Sequence, residues 1–243
     1  MELITDVVLI TCNRVERTSV TIDELYKRLK TPFRLIVVDN ESVDGTYEYL
    51  KMEKENGRVH VLDTCPGKLP ITMSYNIGFK HVESSYVLTM QDDITVPDLD
   101  PCVIQQLIAL MEKYPEYGGI GCRIQRIPNI DWNKGNEDLV PARKALSAYF
   151  RISRKSDIDK LGENPFGIRQ WDDLAFVQQI RGKLGMECGW AKNIWCDHSR
   201  GYCQDRGYTV KPRKWGSGIH SRVTQDWVEK PYPPIDSKTC KPI

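Results

Sequence analysis

With 243 residues, 40% of them hydrophobic and 28% charged, the chain is long enough to bury one substantial core, and its composition excludes disorder and fibrous repeats. Lys and Arg total 34 against 33 Asp and Glu, so no global field draws the protein to nucleic acid or anionic lipid, and such a partner would have to be met by a local patch. No run approaches the roughly 18 to 20 apolar residues of a membrane helix. Acids stand in MELITDVVLI where a signal peptide would be basic, so a cytoplasmic protein is expected.

In chain order, the apolar runs at 7–10 (VVLI), 35–38 (LIVV), 59–62 (VHVL) and 86–90 (YVLTM) read as strands buried on both faces. Helical patterns separate them. Ile22, Leu25 and Leu29 repeat at i, i+3, i+7 behind a capping-box pair, Thr21 and Glu24. A second helix is expected to begin near Asp44-Gly45-Thr46, and a third to cover 70–82. Strand and helix alternating in this way predict a doubly wound, mainly parallel sheet, in which ligands collect at the carboxyl ends of the strands.

The later elements are less regular. The spacing predicts a helix over 103–111, strands over 118–124 and 145–152, and a helix over 171–184 closed by Gly185. Beyond residue 201 periodicity is lost, and the segment reads as a tail or loop packed over the domain. The expected organisation is one domain over 1–205, with halves 1–98 and 99–205, followed by an irregular basic tail over 206–243.

Eight cysteines are scattered without CxxC pairing and read as free, mostly buried thiols. Cys188, Cys196, His198 and Cys203 have the atom types of a zinc site, at irregular spacing.

The sharpest local feature is Gln91-Asp92-Asp93, where a buried strand ends. Two adjacent carboxylates repel by on the order of several kcal/mol at low effective dielectric unless a cation or proton relieves them. A divalent metal does so well, since Mg²⁺ or Mn²⁺ commonly sits between protein carboxylates and substrate phosphates. A solvated turn is the alternative. Asp173 presents a similar choice. Val177, Ile180 and Leu184 form one helical stripe, and its extension back lands on Asp173, which either caps the helix or points into a cleft.

Several segments together resemble the family 2 glycosyltransferases, in order from about 7 to 201. They are 7-VVLITCNR-14, 37-VVDNESVDGT-46, 74-SYNIG-78 and 90-MQDD-93, and the second is the most specific. The resemblance implies a GT-A type, Rossmann-like mixed sheet, mainly parallel and flanked by helices. It also implies a metal-dependent, inverting transfer of sugar from a nucleoside diphosphate sugar, with a UDP-sugar favoured. Asp39 would accept a base N–H, although an Asx turn is an equally local use for it. Thr11, Asn13, Arg14, Asn40, Ser42 and Asn76 would line the nucleotide, with Asp92 near the ribose or sugar. Asp93 and His198 would hold Mn²⁺ or Mg²⁺, with His220 the alternative to His198. Asp173 would act as general base with Asp172 in support. Gln91 and Ala175 stand where the family often has acids. Gly45 and Gly78 look like backbone requirements, while His60 and His81 read as structural.

Two other functions stay open. A sugar nucleotidyltransferase would favour a Gly-rich basic loop after the first strand, and Cys12-Asn13-Arg14-Val15-Glu16 has no glycine. A non-catalytic nucleotide- or zinc-binding module would use the cysteine cluster. For the acceptor, the basic residues of 192–230, interleaved with Trp215 and Trp227, suit a polyanion such as modified DNA, teichoic acid or lipid phosphate.

Overall fold

A computed structural model describes residues 4–65, 71–124, 130–146, 148–162, 173–196, 208–209 and 228–229. The chain divides into two compact units, 1–197 and 198–243. The second contains a short antiparallel pair, β9 (Tyr208–Thr209) and β10 (Val228–Glu229).

The first unit is built in the order β1 (Thr5–Thr11), α1 (Val15–Arg28), β2 (Phe33–Asp39), α2 (Thr46–Glu55), β3 (Val61–Thr64), α3 (Ile71–Phe79) and β4 (Tyr86–Gln91). It continues with α4 (Val103–Lys113), β5 (Tyr117–Ile124), β6 (Leu139–Pro141), β7 (Phe150–Arg154), α5 (Lys155–Leu161), α6 (Asp173–Leu184) and β8 (Glu187–Cys196). The eight strands form one sheet in the order β3-β2-β1-β4-β7-β5-β8-β6. β7 and β6 run against their neighbours, and the other six share one direction. The expected doubly wound, mainly parallel mixed sheet is therefore present.

Alternation along the strands makes two cores. Val7, Leu9, Leu35 and Val37 pack with Ile22 and Leu25 of α1, Leu50 of α2 and Leu107 of α4. Val8, Ile10, Ile36 and Val38 turn to the opposite face, with Tyr75 and Phe79 of α3, Ile158 of α5, and Phe176 and Ile180 of α6. Each fully buried aliphatic side chain contributes about 1.5–3 kcal/mol, so the central strands hold both layers. Gly78 is required by this packing, because a Cβ there would lie 2.4 Å from Val8 Cγ1. Gly45 is required by its backbone, with φ +92° just before α2.

Three local expectations need correction. Thr21 and Glu24 do not cap α1, which starts at Val15; Thr21 lies mid-helix, and its hydroxyl donates to the Asp92 carbonyl at 3.0 Å. The strand expected over 145–152 begins only at Phe150, because Leu146 and Ala148 are buried in a loop beneath α6. The patterns of β6, α5 and β8 were not legible: β8 mixes Gly189, Lys192 and Asn193 with apolar residues and takes its conformation from pairing with β5 and β6. His60 lies just before β3 and His81 just after α3; His60 Nδ1 accepts from Leu35 N, and His81 Nε2 lies 2.9 Å from Asp63. No described helix is long and apolar enough to cross a membrane.

Candidate active site

The carboxyl ends of the six co-directional strands lie along one edge of the sheet, and the expected site residues that follow β1, β2 and β4 lie there. The loops after β1 and β2 are stitched together. Asn13 N donates to Ser42 Oγ at 2.8 Å, and Val43 N donates to Asn13 Oδ1 at 2.7 Å. Asn40 N donates to the Thr11 carbonyl. Asn13 and Glu41 both adopt positive φ, 53° and 59°, a conformation costly for residues with a side chain and held here by the surrounding bonds. Asp44 fastens both following helices: its Oδ2 accepts from Val15 N at 3.2 Å and its Oδ1 from Thr46 N at 3.1 Å. Thr46 Oγ1 in turn accepts from Arg14 N. The DNESVDGT segment is thus largely a brace for two loops.

Asp39 serves two purposes with its two oxygens. Oδ2 accepts from Ser42 N at 3.0 Å, which is the Asx turn. Oδ1 is buried and has no hydrogen-bond partner among the described residues. Burial pushes this carboxyl up from the usual carboxylate range, and the Ser42 bonds pull it only part of the way back.

At the β4 tip the cation relieving the two acids is Arg14. Its Nη1 donates to Asp92 Oδ1 at 2.6 Å and to Asp93 Oδ2 at 3.2 Å. Asp92, 2% exposed, also accepts from Thr11 Oγ1 at 2.8 Å and Thr18 Oγ1 at 3.2 Å. Burial raises its carboxyl above the ordinary value, opposed chiefly by Arg14. Asp92 is therefore an anchor for α1, and Asp93 (8% exposed) is the outer carboxylate. Arg14, the N-cap of α1, and Thr18 and Thr21 within the helix are spaced at i, i+4, i+7. That periodicity is visible in the sequence but is masked there by the apolar stripe beside it.

Asp173 reaches the same edge from the other half of the sheet. It opens α6, where the helix macrodipole favours a carboxylate. Its Oδ1 accepts from Ala148 N at 3.0 Å and its carbonyl from Leu146 N at 3.0 Å. Tyr149, next to Ala148, uses its carbonyl to accept from Gln91 N at the β4 tip. One strand spacing plus one hydrogen bond separates the acid pair's strand from the Asp173 carboxylate, a gap on the order of 8–10 Å.

Two residues that pattern reading missed brace this half. Tyr75, fully buried on α3, lies 3.2 Å from both the Met90 and Ala148 carbonyls, and its single proton serves one at a time. Its phenol is pushed well up, by burial above all. Arg151, 1% exposed on β7, donates from Nη1 to the Leu146 carbonyl at 3.1 Å and lies 3.5 Å over the Phe176 ring of α6. The sequence signal for Arg151 was a charge inside an apolar strand.

Asn76 lies partly buried on α3. Asp172, His198, His220 and Cys203 lie outside the described residues, as does most of the basic segment 192–230; Lys192 is described and donates to the Asn136 carbonyl at 2.6 Å. Among the described residues no group of three or more potential metal ligands forms. The four-residue zinc reading is corrected by geometry: Cys188 and Cys196 pair with Gly119 and Ile124 of β5, five residues apart and so about 17 Å along the sheet, too far to share one ion. Burial also pushes the Cys188 thiol up to about 12, away from the thiolate a metal needs.

The sequence matches the model of Glycosyl transferase family 2 over residues 6–169. No curated protein matches it. Among solved structures, a mannosyltransferase, PcManGT from Pyrobaculum calidifontis in complex with GDP-Man and Mn²⁺, is similar at 16% identity with a TM-score of 0.64, covering 82% of this chain and 57% of that one. S. aureus TarS is similar at 14% identity and TM-score 0.63, over 84% of this chain and 38% of that one. GalNAc-T7 with UDP, GalNAc and Mn²⁺ is similar at 14% identity and TM-score 0.62, over 81% and 44%. These are GT-A folds, and this chain spans between about two fifths and three fifths of their lengths.

Proposed function

The chain belongs to Glycosyl transferase family 2, and on that premise we propose that it transfers a sugar from a nucleoside diphosphate sugar to an acceptor hydroxyl, with inversion at the anomeric carbon. Asp39 Oδ1, buried and without a hydrogen-bond partner among the described residues, suits the N–H edge of a base. A uracil imide satisfies a single acceptor in this way, which favours a UDP-sugar. Thr11, Asn13, Asn40 and Ser42 lie in the two loops beside it, with Asn76 on α3. Asp92 acts through Arg14 and Thr11, setting where the outer carboxylate stands.

Asp93, with His198, would hold Mn²⁺ or Mg²⁺, and the donor set fits the mode in which one or two carboxylates and substrate phosphates share the ion. Such an ion supplies charge stabilisation to the leaving diphosphate. Asp173, oriented by Ala148 N, takes the proton of the acceptor hydroxyl as that oxygen attacks; Asp172 supports it. The observation that supports this reading is that Asp173 Oδ1 accepts from Ala148 N while the adjacent Tyr149 carbonyl accepts from Gln91 N at the β4 tip, so the two acids belong to one neighbourhood without touching each other through these bonds.

The test is a thermal-shift screen of UDP, GDP and their sugars with and without Mn²⁺, followed by donor turnover. Only a ligand of the native state raises the midpoint. One diphosphate should do so in a Mn²⁺-dependent manner, D93A should abolish that dependence, and D173N should keep the shift while losing turnover. Absence of any nucleotide shift would end the proposal.

A further inference from the structure

Beyond Asp173, the same edge carries an aromatic stack. Arg123 and Trp195 are the penultimate residues of β5 and β8 and are partners in the parallel ladder. The ladder is irregular at that point. Cys122 pairs with Ala191 but the next residue, Arg123, pairs with Trp195, so residues 192–194 have no counterpart on β5. Such irregularities re-aim side chains at strand ends and beside active sites. Here the result is a sandwich: the Arg123 guanidinium carbon lies 3.9 Å from the Trp132 ring centroid and 3.7 Å from that of Trp195. The two rings are within 26° of parallel, with centroids 6.5 Å apart.

One edge of the guanidinium is turned inward. Arg123 Nε is buried without a hydrogen-bond partner among the described residues, a cost of on the order of 1–3 kcal/mol. Cation–π contact with two indoles offsets that cost and fixes both rings. Trp195 is nevertheless 43% exposed, although the guanidinium covers one of its faces. A rigid indole with an open face is an efficient binding surface, because little conformational freedom remains to be lost.

Its position matters as much as its chemistry. Counting strands from β4, β5 lies about 10 Å and β8 about 14 Å across the sheet. The order along the edge is therefore the Asp39 loop, the Asp92–Asp93 tip, Asp173, and then the Trp132–Arg123–Trp195 stack. A general base must lie within hydrogen-bond reach of the attacking hydroxyl, across the anomeric carbon from the leaving group, and the stack lies beyond Asp173 on that attacking side. Among the described residues the cations near it are offset or engaged: exposed Lys134 faces Asp131 at 3.9 Å, and Lys192 donates to the Asn136 carbonyl. A polyanion would be met by outward charge. An open indole instead suits the C–H face of a pyranose, whose hydroxyls stay at the rim.

Building on the transferase reading above, we infer that Trp195, held by Arg123 and Trp132, is the stacking platform for a sugar ring of the acceptor, so that the acceptor is a neutral glycan. The test uses the whole chain with cellotetraose, chitotetraose, mannotetraose and inorganic polyphosphate as probes, read by saturation-transfer NMR and tryptophan fluorescence. At least one oligosaccharide should bind and perturb the fluorescence. Trp195→Ala should weaken it about tenfold or more, while Trp195→Phe, which keeps a ring, stays within about threefold. Unliganded melting temperatures establish that both variants are folded. Binding of polyphosphate alone, binding of no probe, or full glycan affinity in folded W195A would overturn the inference. Nucleoside diphosphate binding by the wild type is scored separately, so loss of the donor reading and loss of the acceptor platform give different results.

Discussion

The two halves of the sheet reach the same edge by different means. From β1 to β4 the strands are parallel, β1, β2 and β3 pair in sequence order, and the site side chains come from short segments that brace one another: Asn13 to Ser42, Asp44 to Val15 and Thr46, Arg14 to Asp92 and Asp93. From β5 to β8 the order is interleaved, two strands run backward, and Asp173 is held through the 146–148 segment, which Arg151 grips from beneath. The first half is pre-organised by local hydrogen bonds. The second is an assembly whose geometry depends on buried contacts far apart in sequence.

If that contrast is right, substitutions in the two halves should separate binding from turnover. The largest expected effect is in the second half. Asp173→Asn keeps the Ala148 bond but cannot take a proton, so turnover should fall by about 10²–10⁴ with the nucleotide midpoint shift unchanged. Equal loss of both would erase the distinction. In the first half, Arg14→Met leaves two buried carboxylates without their shared cation and should cost about 3 kcal/mol in denaturant unfolding. Added Mn²⁺ should restore much of that stability, and a variant indifferent to Mn²⁺ would place the metal elsewhere.

Smaller effects sharpen the picture of the donor loops. Gly45→Ala forces a side chain into φ +92° and should destabilise by about 1–2 kcal/mol. Asp39→Asn should act in the opposite direction. Because burial raises the native carboxyl, folding binds a proton there, and stability is lost as pH rises from the unfolded value of 3.8 through the raised native one. The Asn variant should therefore be more stable by on the order of 1 kcal/mol at neutral pH, with the gain vanishing below pH 3.8, while nucleotide binding weakens. A gain that persists in acid would mean that desolvation of the charge is not its cause.

The same contrast explains what could be read from the sequence. Strand runs such as LIVV and the DNESVDGT turn carry their structure locally, so the first half and its loops were legible, down to the backbone demand of Gly45, whereas Gly78 is required by close packing on Val8 rather than by its backbone. The Thr21–Glu24 pair misled because Thr21 serves Asp92 from mid-helix, a use visible only once β4 lies beside α1. Ala148 and Leu146 look like strand residues, yet they are buried in a loop pinned to Asp173. Arg14 illustrates the limit most clearly: the family resemblance suggested the nucleotide, and its hydrogen bonds go to the two acids.

The most direct test of the transfer site is a crystal of this chain soaked with UDP and Mn²⁺, examined at the manganese absorption edge. An anomalous peak within about 2.4 Å of an Asp93 oxygen, with the base edge against Asp39 Oδ1, is the predicted result. A map in which Arg14 alone bridges Asp92 and Asp93 while nucleotide and manganese bind away from the β4 tip would contradict it.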